Sequence, residues 1–283
     1  MERFEKLYES ILCHNKDEIP LYLSVPSAEL TLFSHFHDEK KCILISDESY
    51  AGPHLILSSP DVHGNRTGYL NQEICKLNFY RTGVCRNYLA LDADSMFIRD
   101  FYISDFMFSD SIPYTVFHQD KDLMMDPAYS RVFGKDRDKM IRKIWGFIGL
   151  PDTRYRTCHG FQNMNCEVLA SLHNDFMNPR ALTYGQLLQI APLEFSWYNA
   201  WFQKCRKVEE YSVEPFFKCF HTRAQYFFAK LQFLSVQDIK TQYVGIVLQS
   251  NWNSNSSMIK YDRVYTFLFI LHYLLFHFLL RRI

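Results

Sequence analysis

Short apolar runs alternate with amphipathic stretches along the first third of the chain. Ile19 to Val25 reads as a first strand, with Pro20 near its start, where proline is tolerated. Ser24, Pro26 and Ser27 form its exit, and Ala28 to His37 has a helical pattern with Ser27 as a candidate N-cap. Cys42 to Ser46 is a second apolar run ending at the polar pair Asp47 and Glu48. Over Gly68 to Tyr80, Leu70, Ile74, Leu77 and Phe79 fall close to helical spacing, and Gly83 marks the stop. Tyr88 to Leu91 is a third strand. Strands alternating with helices in this way predict an α/β fold with a mostly parallel sheet.

The pattern then becomes less regular. Ile112 to Phe117 reads as a strand, Asp136 to Ile148 as a basic amphipathic helix, and Thr157 to Met164 as a strand leading into a helix over Cys166 to His173. A helix is expected from about Ala224 to Leu234, and Tyr243 to Leu248 is the last β-like run. Gln249 to Ser257 is polar and reads as a loop. Val264 to Leu280 is almost wholly apolar except for His272 and His277, and Arg281 and Arg282 follow it. Three readings of this tail stay open: a terminal helix packed on the domain, an interfacial anchor, and a spanning segment, for which the run is slightly short.

Composition narrows the class. Of 283 residues, 48% are hydrophobic and 17% aromatic, enough for a sizeable core, which argues against disorder over most of the length. Lys+Arg and Asp+Glu are equal at 31 each, which argues against a protein that wraps nucleic acid. The eight cysteines include no Cys-x-x-Cys pair, so a zinc ribbon is unsupported and reduced thiols in a cytoplasmic protein are expected. The start, Met1 to Lys6, is charged and lacks the apolar core of a signal peptide. Asn65-Arg66-Thr67 and Asn255-Ser256-Ser257 are then chance matches to glycosylation acceptors.

The candidate chemistry lies where the third strand stops. Tyr88-Leu89-Ala90-Leu91 runs into Asp92-Ala93-Asp94-Ser95, and a second apolar run, Met96-Phe97-Ile98, follows. In an open α/β sheet, ligands bind beyond the carboxyl ends of the strands. Carboxylates are costly to bury unpaired, so a cation is expected there, and two hard oxygen ligands suit Mg²⁺ or Mn²⁺ carrying substrate phosphates.

A helix containing Lys76, a short loop, and a strand ending in Asp-x-Asp before another apolar run resemble the nucleotide-sugar-dependent glycosyltransferases of GT-A fold. The likeness is greatest to an uncharacterised bacterial branch linked to surface polysaccharides. Ile19 to Pro26, Leu193-Glu194-Phe195-Ser196-Trp197-Tyr198-Asn199 and Gly245 to Trp252 look similar to the same branch, so the resemblance spans about residues 17 to 255. Trp197 departs from it, standing where a polar or acidic residue is expected, and the apolar tail has no counterpart.

The resemblance implies a GT-A, Rossmann-like domain over 1–257, with a nucleotide-binding part at about 17–118, an acceptor part at about 119–257, and 258–283 as an apolar C-terminal helix, packed or membrane-associated. It implies a UDP-sugar donor, a glycan or glycolipid acceptor, no nucleic-acid partner, and a cytoplasmic or membrane-peripheral location. Asp94 would bind Mn²⁺ or Mg²⁺, Asp92 would contact the metal or the sugar and ribose, and His221 would be a third ligand. Gln72 and Lys76 would lie near the nucleotide or sugar, Ser24, Val25 and Pro26 would line the base pocket, and Glu194 would act on the acceptor.

Each position has an ordinary structural alternative. Asp92 and Asp94 suit a turn, Lys76 a solvated helix face, His221 a core histidine, and Glu194 a partner for an arginine such as Arg223. His35 and His37 stand two apart, so they do not face the same side of a helix. Four apolar residues before Asp-x-Asp also describe the nucleophile loop of haloacid-dehalogenase-like phosphatases, with Asp92 as nucleophile and Asp94 as acid/base. That family requires a later strand ending in acidic residues, and the later strands here end at His221 and Gln249-Ser250-Asn251. A non-catalytic binding module of the same fold is the third reading.

Overall fold

A computed structural model describes residues 2–56, 67–117, 121–125, 129–130, 134–151, 160–231, 234–249, 267 and 270–271. The chain is mixed α/β. The first two apolar runs form β1 (Leu21–Val25) and β2 (Cys42–Ser46), paired parallel in register from Leu21 with Cys42 to Val25 with Ser46. The crossover between them is a succession of single turns over residues 27–36 rather than the continuous helix expected over 28–37.

The helix Thr67–Asn78 and the third strand, β3 (Asn87–Leu91), appear close to where the periodicity puts them. The chain turns at Asp92-Ala93-Asp94 and re-enters as β4 (Ser95–Phe97). Later strands are β5 (Thr115–Val116), β6 (Phe161–Asn165), β7 (Ser212–Val213), β8 (Phe217–Phe220) and β9 (Gly245–Leu248). The basic amphipathic helix is Lys135–Ile148, stopped by Gly149 at φ 77°.

The sheet differs from expectation. Instead of one mostly parallel sheet, the described strands pair in four small groups of mixed sense. β1 with β2, β5 with β7, and β8 with β9 are parallel, whereas β3 with β6 and β4 with β9 are antiparallel. The reason is length. Strands of two to five residues expose too few backbone groups for their alternation to declare a partner or a direction.

Two apolar clusters carry most of the packing. One gathers the helices Thr67–Asn78, Lys135–Ile148, Cys166–Ser171, Tyr184–Ile190 and Glu194–Cys205 around Leu70, Ile74, Ile144, Val168, Leu187 and Trp197. Trp197 is fully buried and donates its indole N–H to the Ala191 carbonyl at 2.9 Å, so the departure noted at this position is a core residue. The other cluster packs the strands against an N-terminal helix, Glu2–His14, through Phe4, Leu7 and Ile11. That helix is missing from the sequence expectation because its charged residues dominate the first turns, although the buried positions fall at helical spacing.

Gly160 shows how tightly the Asp92 turn is held. It sits at φ +82°, its carbonyl accepts the Asp92 N–H at 2.7 Å, and an added Cβ would lie 2.7 Å from Val247 Cγ1. Gly160→Ala is expected to lower stability by more than about 1 kcal/mol, because the left-handed backbone and the contact with β9 both oppose a side chain. Urea unfolding of the two proteins measures this, and equal midpoints would contradict it.

Candidate functional site

Gln72 and Lys76 stand one helical turn apart on the helix Thr67–Asn78 and therefore share a face. Asp92 follows the last residue of β3, and Glu194 is the first residue of the helix Glu194–Cys205, where a negative charge is favoured by the exposed N–H groups. These elements converge. The Lys76 ammonium contacts Asp92 Oδ1 directly and donates to Glu194 Oε1 at 2.8 Å, while Gln72 Nε2 reaches Asp92 Oδ1 at 3.4 Å. Lys76 also lies 4.8 Å from the centre of the Phe195 ring.

The cluster is shielded from water. Only 12% of the Lys76 side chain and 9% of the Glu194 side chain are exposed, against 25% for Asp92. Burial alone would lower the Lys76 ammonium, but the two carboxylates outweigh it and hold the group above the usual lysine range. Lys76 is thus charged and held in place, not a solvated surface lysine, and it is an ion-pair partner of Glu194.

Glu73, three residues before Lys76, belongs to the same region and escaped the sequence expectation. It is 1% exposed, and its carboxylate oxygens have the Tyr69 hydroxyl as a neighbour, which pulls the group down, but no close hydrogen bond. Beside it, the Tyr69 hydroxyl is directed to the Pro192 carbonyl at 3.5 Å. Burial, and then the negative charge of Glu194, raise the Glu73 carboxyl well above the usual range. The signal was present in the sequence: residues three apart on a helix share a face, so a lysine facing inward brings its i−3 neighbour with it.

Asp94 and His221 are placed by the β4–β9–β8 group. The Asp94 carbonyl accepts the Leu248 N–H at 3.0 Å, Leu248 pairs with Phe220, and Gln249 N–H reaches the Phe220 carbonyl at 3.2 Å. Asp94 and His221 therefore leave the same end of the group, one on either side of β9, about 10 Å apart at two strand spacings. His221 is buried, with the Tyr129 ring edge-on at 4.7 Å between centres. Burial first and the Arg137 charge second lower its imidazole to about 3, which keeps it neutral and able to donate a lone pair at physiological pH. Among the described residues, no three His, Cys, Asp or Glu side chains are already grouped as a metal cage.

The base-pocket candidates stand at the end of β1. Ser24 donates to Asp47 Oδ1 at 2.5 Å and meets the Tyr50 hydroxyl at 2.8 Å, Val25 is buried, and Pro26 is exposed. Asp47, a second residue the sequence did not single out, is held up by burial, while Ser24 pulls it the other way. Phe79 packs between Tyr22 of β1 and Tyr88 of β3, at 5.4 and 5.0 Å between ring centres, and so ties the two strands together.

Trp252 and nearly all of the tail from 258 onward lie outside the described residues. Among the described residues, no helix is long and apolar enough to cross a membrane. Compared with known proteins, the chain matches no family model and no curated protein.

Two outcomes follow from the buried cluster. Lys76→Met leaves Glu194 buried without its cation and should cost about 3 kcal/mol in urea unfolding, with part recovered in Lys76→Met/Glu194→Leu. Glu73 binds a proton in the folded chain over a pH range where the unfolded chain has lost it. Its contribution to stability therefore falls as pH rises from the ordinary carboxylate range toward its raised folded value. Glu73→Gln removes that slope, so stability relative to the parent protein should rise between pH 4.5 and 8. Parallel pH profiles for the two proteins would contradict the assignment.

Proposed function

We propose that the chain is a metal-dependent glycosyltransferase of GT-A type, moving a sugar from a nucleoside-diphosphate donor, a UDP-sugar, to a hydroxyl of a glycan or glycolipid. One observation carries the reading: Asp92, at the carboxyl end of β3, is met by Lys76 and Gln72 from the preceding helix and, through Lys76, by Glu194 from a distant one. The fold supports it at a coarser level, as a mixed α/β chain with acids at a strand end.

The chemistry suits these residue types. Cleaving a sugar–diphosphate bond leaves charge on the departing phosphate, and a cation supplies Lewis-acid neutralisation of it. Asp94 and Asp92 offer hard oxygens and His221 a neutral imidazole, a donor set that suits Mn²⁺. Lys76 brings a fixed positive charge to the same side and would stabilise the diphosphate without proton transfer. Glu194 is the carboxylate available to accept a proton from the acceptor hydroxyl, a role worth about 10²–10⁴ in rate. Its ion pair with Lys76 would hold it oriented until the acceptor arrives. The phosphatase reading is weakened by the ends of β8 and β9, which carry His221 and Gln249 where further acids would be needed.

Incubation with a panel of nucleotide sugars and Mn²⁺ tests the proposal. Release of nucleoside diphosphate from at least one donor is expected, lost on chelation and in Asp94→Asn, with the circular dichroism of that variant unchanged. Full turnover in Asp94→Asn, or turnover indifferent to a strong chelator, would refute the metal assignment. Hydrolysis of a generic phosphate ester that depends on Asp92 would favour the phosphatase, and no response to any donor would favour a binding module.

A further inference from the structure

Seven of the eight cysteines are described, all as free thiols, and two of them, Cys85 and Cys166, lie on adjacent segments. Cys85 stands two residues before β3, and Cys166 is the first residue of the helix that follows β6. The ladder brings the two segments side by side: Asn87 pairs with Asn165, the side chains of those two asparagines are joined at 2.7 Å, and the Cys166 N–H reaches the Arg86 carbonyl at 2.9 Å. The Cys166 thiol then donates to the Cys85 carbonyl at 3.3 Å. Both residues are half-exposed, so small reagents can reach them.

We propose that Cys85 and Cys166 form an oxidisable thiol pair that closes to a disulfide when the chain meets a peroxide. The roles of the two sulfurs are unequal. The Cys166 thiol gives its proton to the Cys85 carbonyl, which favours its protonated form, so Cys85 is the sulfur freer to ionise. Cys85 is therefore the nucleophile. Its thiolate attacks one oxygen of hydrogen peroxide, the O–O bond breaks, hydroxide leaves, and a sulfenic acid remains. The Cys166 sulfur then attacks that sulfur and loses its proton, and the sulfenic oxygen departs as water. The peroxide is reduced by two electrons and the two thiols are oxidised by two, so the step balances. The product would tie the start of β3, the strand that carries Asp92, to the helix after β6.

The inference is independent of any catalytic activity and is tested on the full chain. After brief hydrogen peroxide treatment and alkylation, peptide mass spectrometry should find one cross-linked peptide joining Cys85 to Cys166, reversed by dithiothreitol. Cys85 should be consumed roughly fivefold faster than the exposed Cys13. In Cys166→Ser, Cys85 should instead be trapped by dimedone as the sulfenic acid. In Cys85→Ser, Cys166 should stay reduced under the same treatment. Consumption of Cys85 no faster than Cys13, or cross-links scattered over other cysteines, would overturn the proposal.

Discussion

Two carboxylates from distant parts of the chain, Asp92 and Glu194, close on one ammonium that has little access to water. Removing three charges from solvent is costly, and their mutual attraction repays it only when the geometry is good and the remaining hydrogen-bond capacity is used. Such a cluster is poor evidence of stability for its own sake. Replacing it with well-packed apolar side chains would leave the fold at least as stable. Its value lies in position: it fixes the helix Thr67–Asn78, the end of β3 and the start of the helix Glu194–Cys205 relative to one another.

Much of the surrounding structure serves that placement. Gly160 receives the Asp92 N–H and brings the β3 turn against β9 without a side chain between them. β9 then carries the Asp94 backbone on one side and β8, which ends at His221, on the other. Trp197 and Phe195, on the helix begun by Glu194, are buried in the helical cluster and hold that carboxylate against Lys76. Burial first, and the charge of Glu194 second, hold the Glu73 carboxyl well above the usual range, against the opposing charge of Lys76.

What the sequence disclosed is what local periodicity can disclose. β3 with its acid turn, the helix bearing Lys76 and the amphipathic helix Lys135–Ile148 are each continuous and patterned, and they stand where the pattern puts them. Pairing was not legible. β4 has three residues and β5 two, so neither direction nor partner is written in their alternation, and a single parallel sheet is not what the described strands form. The site was legible as a set of residue types but not as a constellation. Lys76 is 16 residues from Asp92 and 118 from Glu194, and no local rule joins them. The helix Tyr184–Ile190 was missed, although Thr183 and Gln186 form a reciprocal cap at its start, the Thr-x-x-Gln signature of a helix N-terminus. Glu73 was missed because an acid on a helix is ordinarily solvated, and only its spacing from a buried lysine distinguishes it.

The proposed glycosyltransferase requires the acids at the end of β3 to bind a nucleoside diphosphate through a divalent cation. Titration calorimetry with UDP, in Mn²⁺ and again in excess chelator, addresses that claim without needing to know the sugar or the acceptor. Saturable binding is expected in Mn²⁺ and should disappear in chelator. Binding of equal strength in both conditions, or none in either, would contradict it.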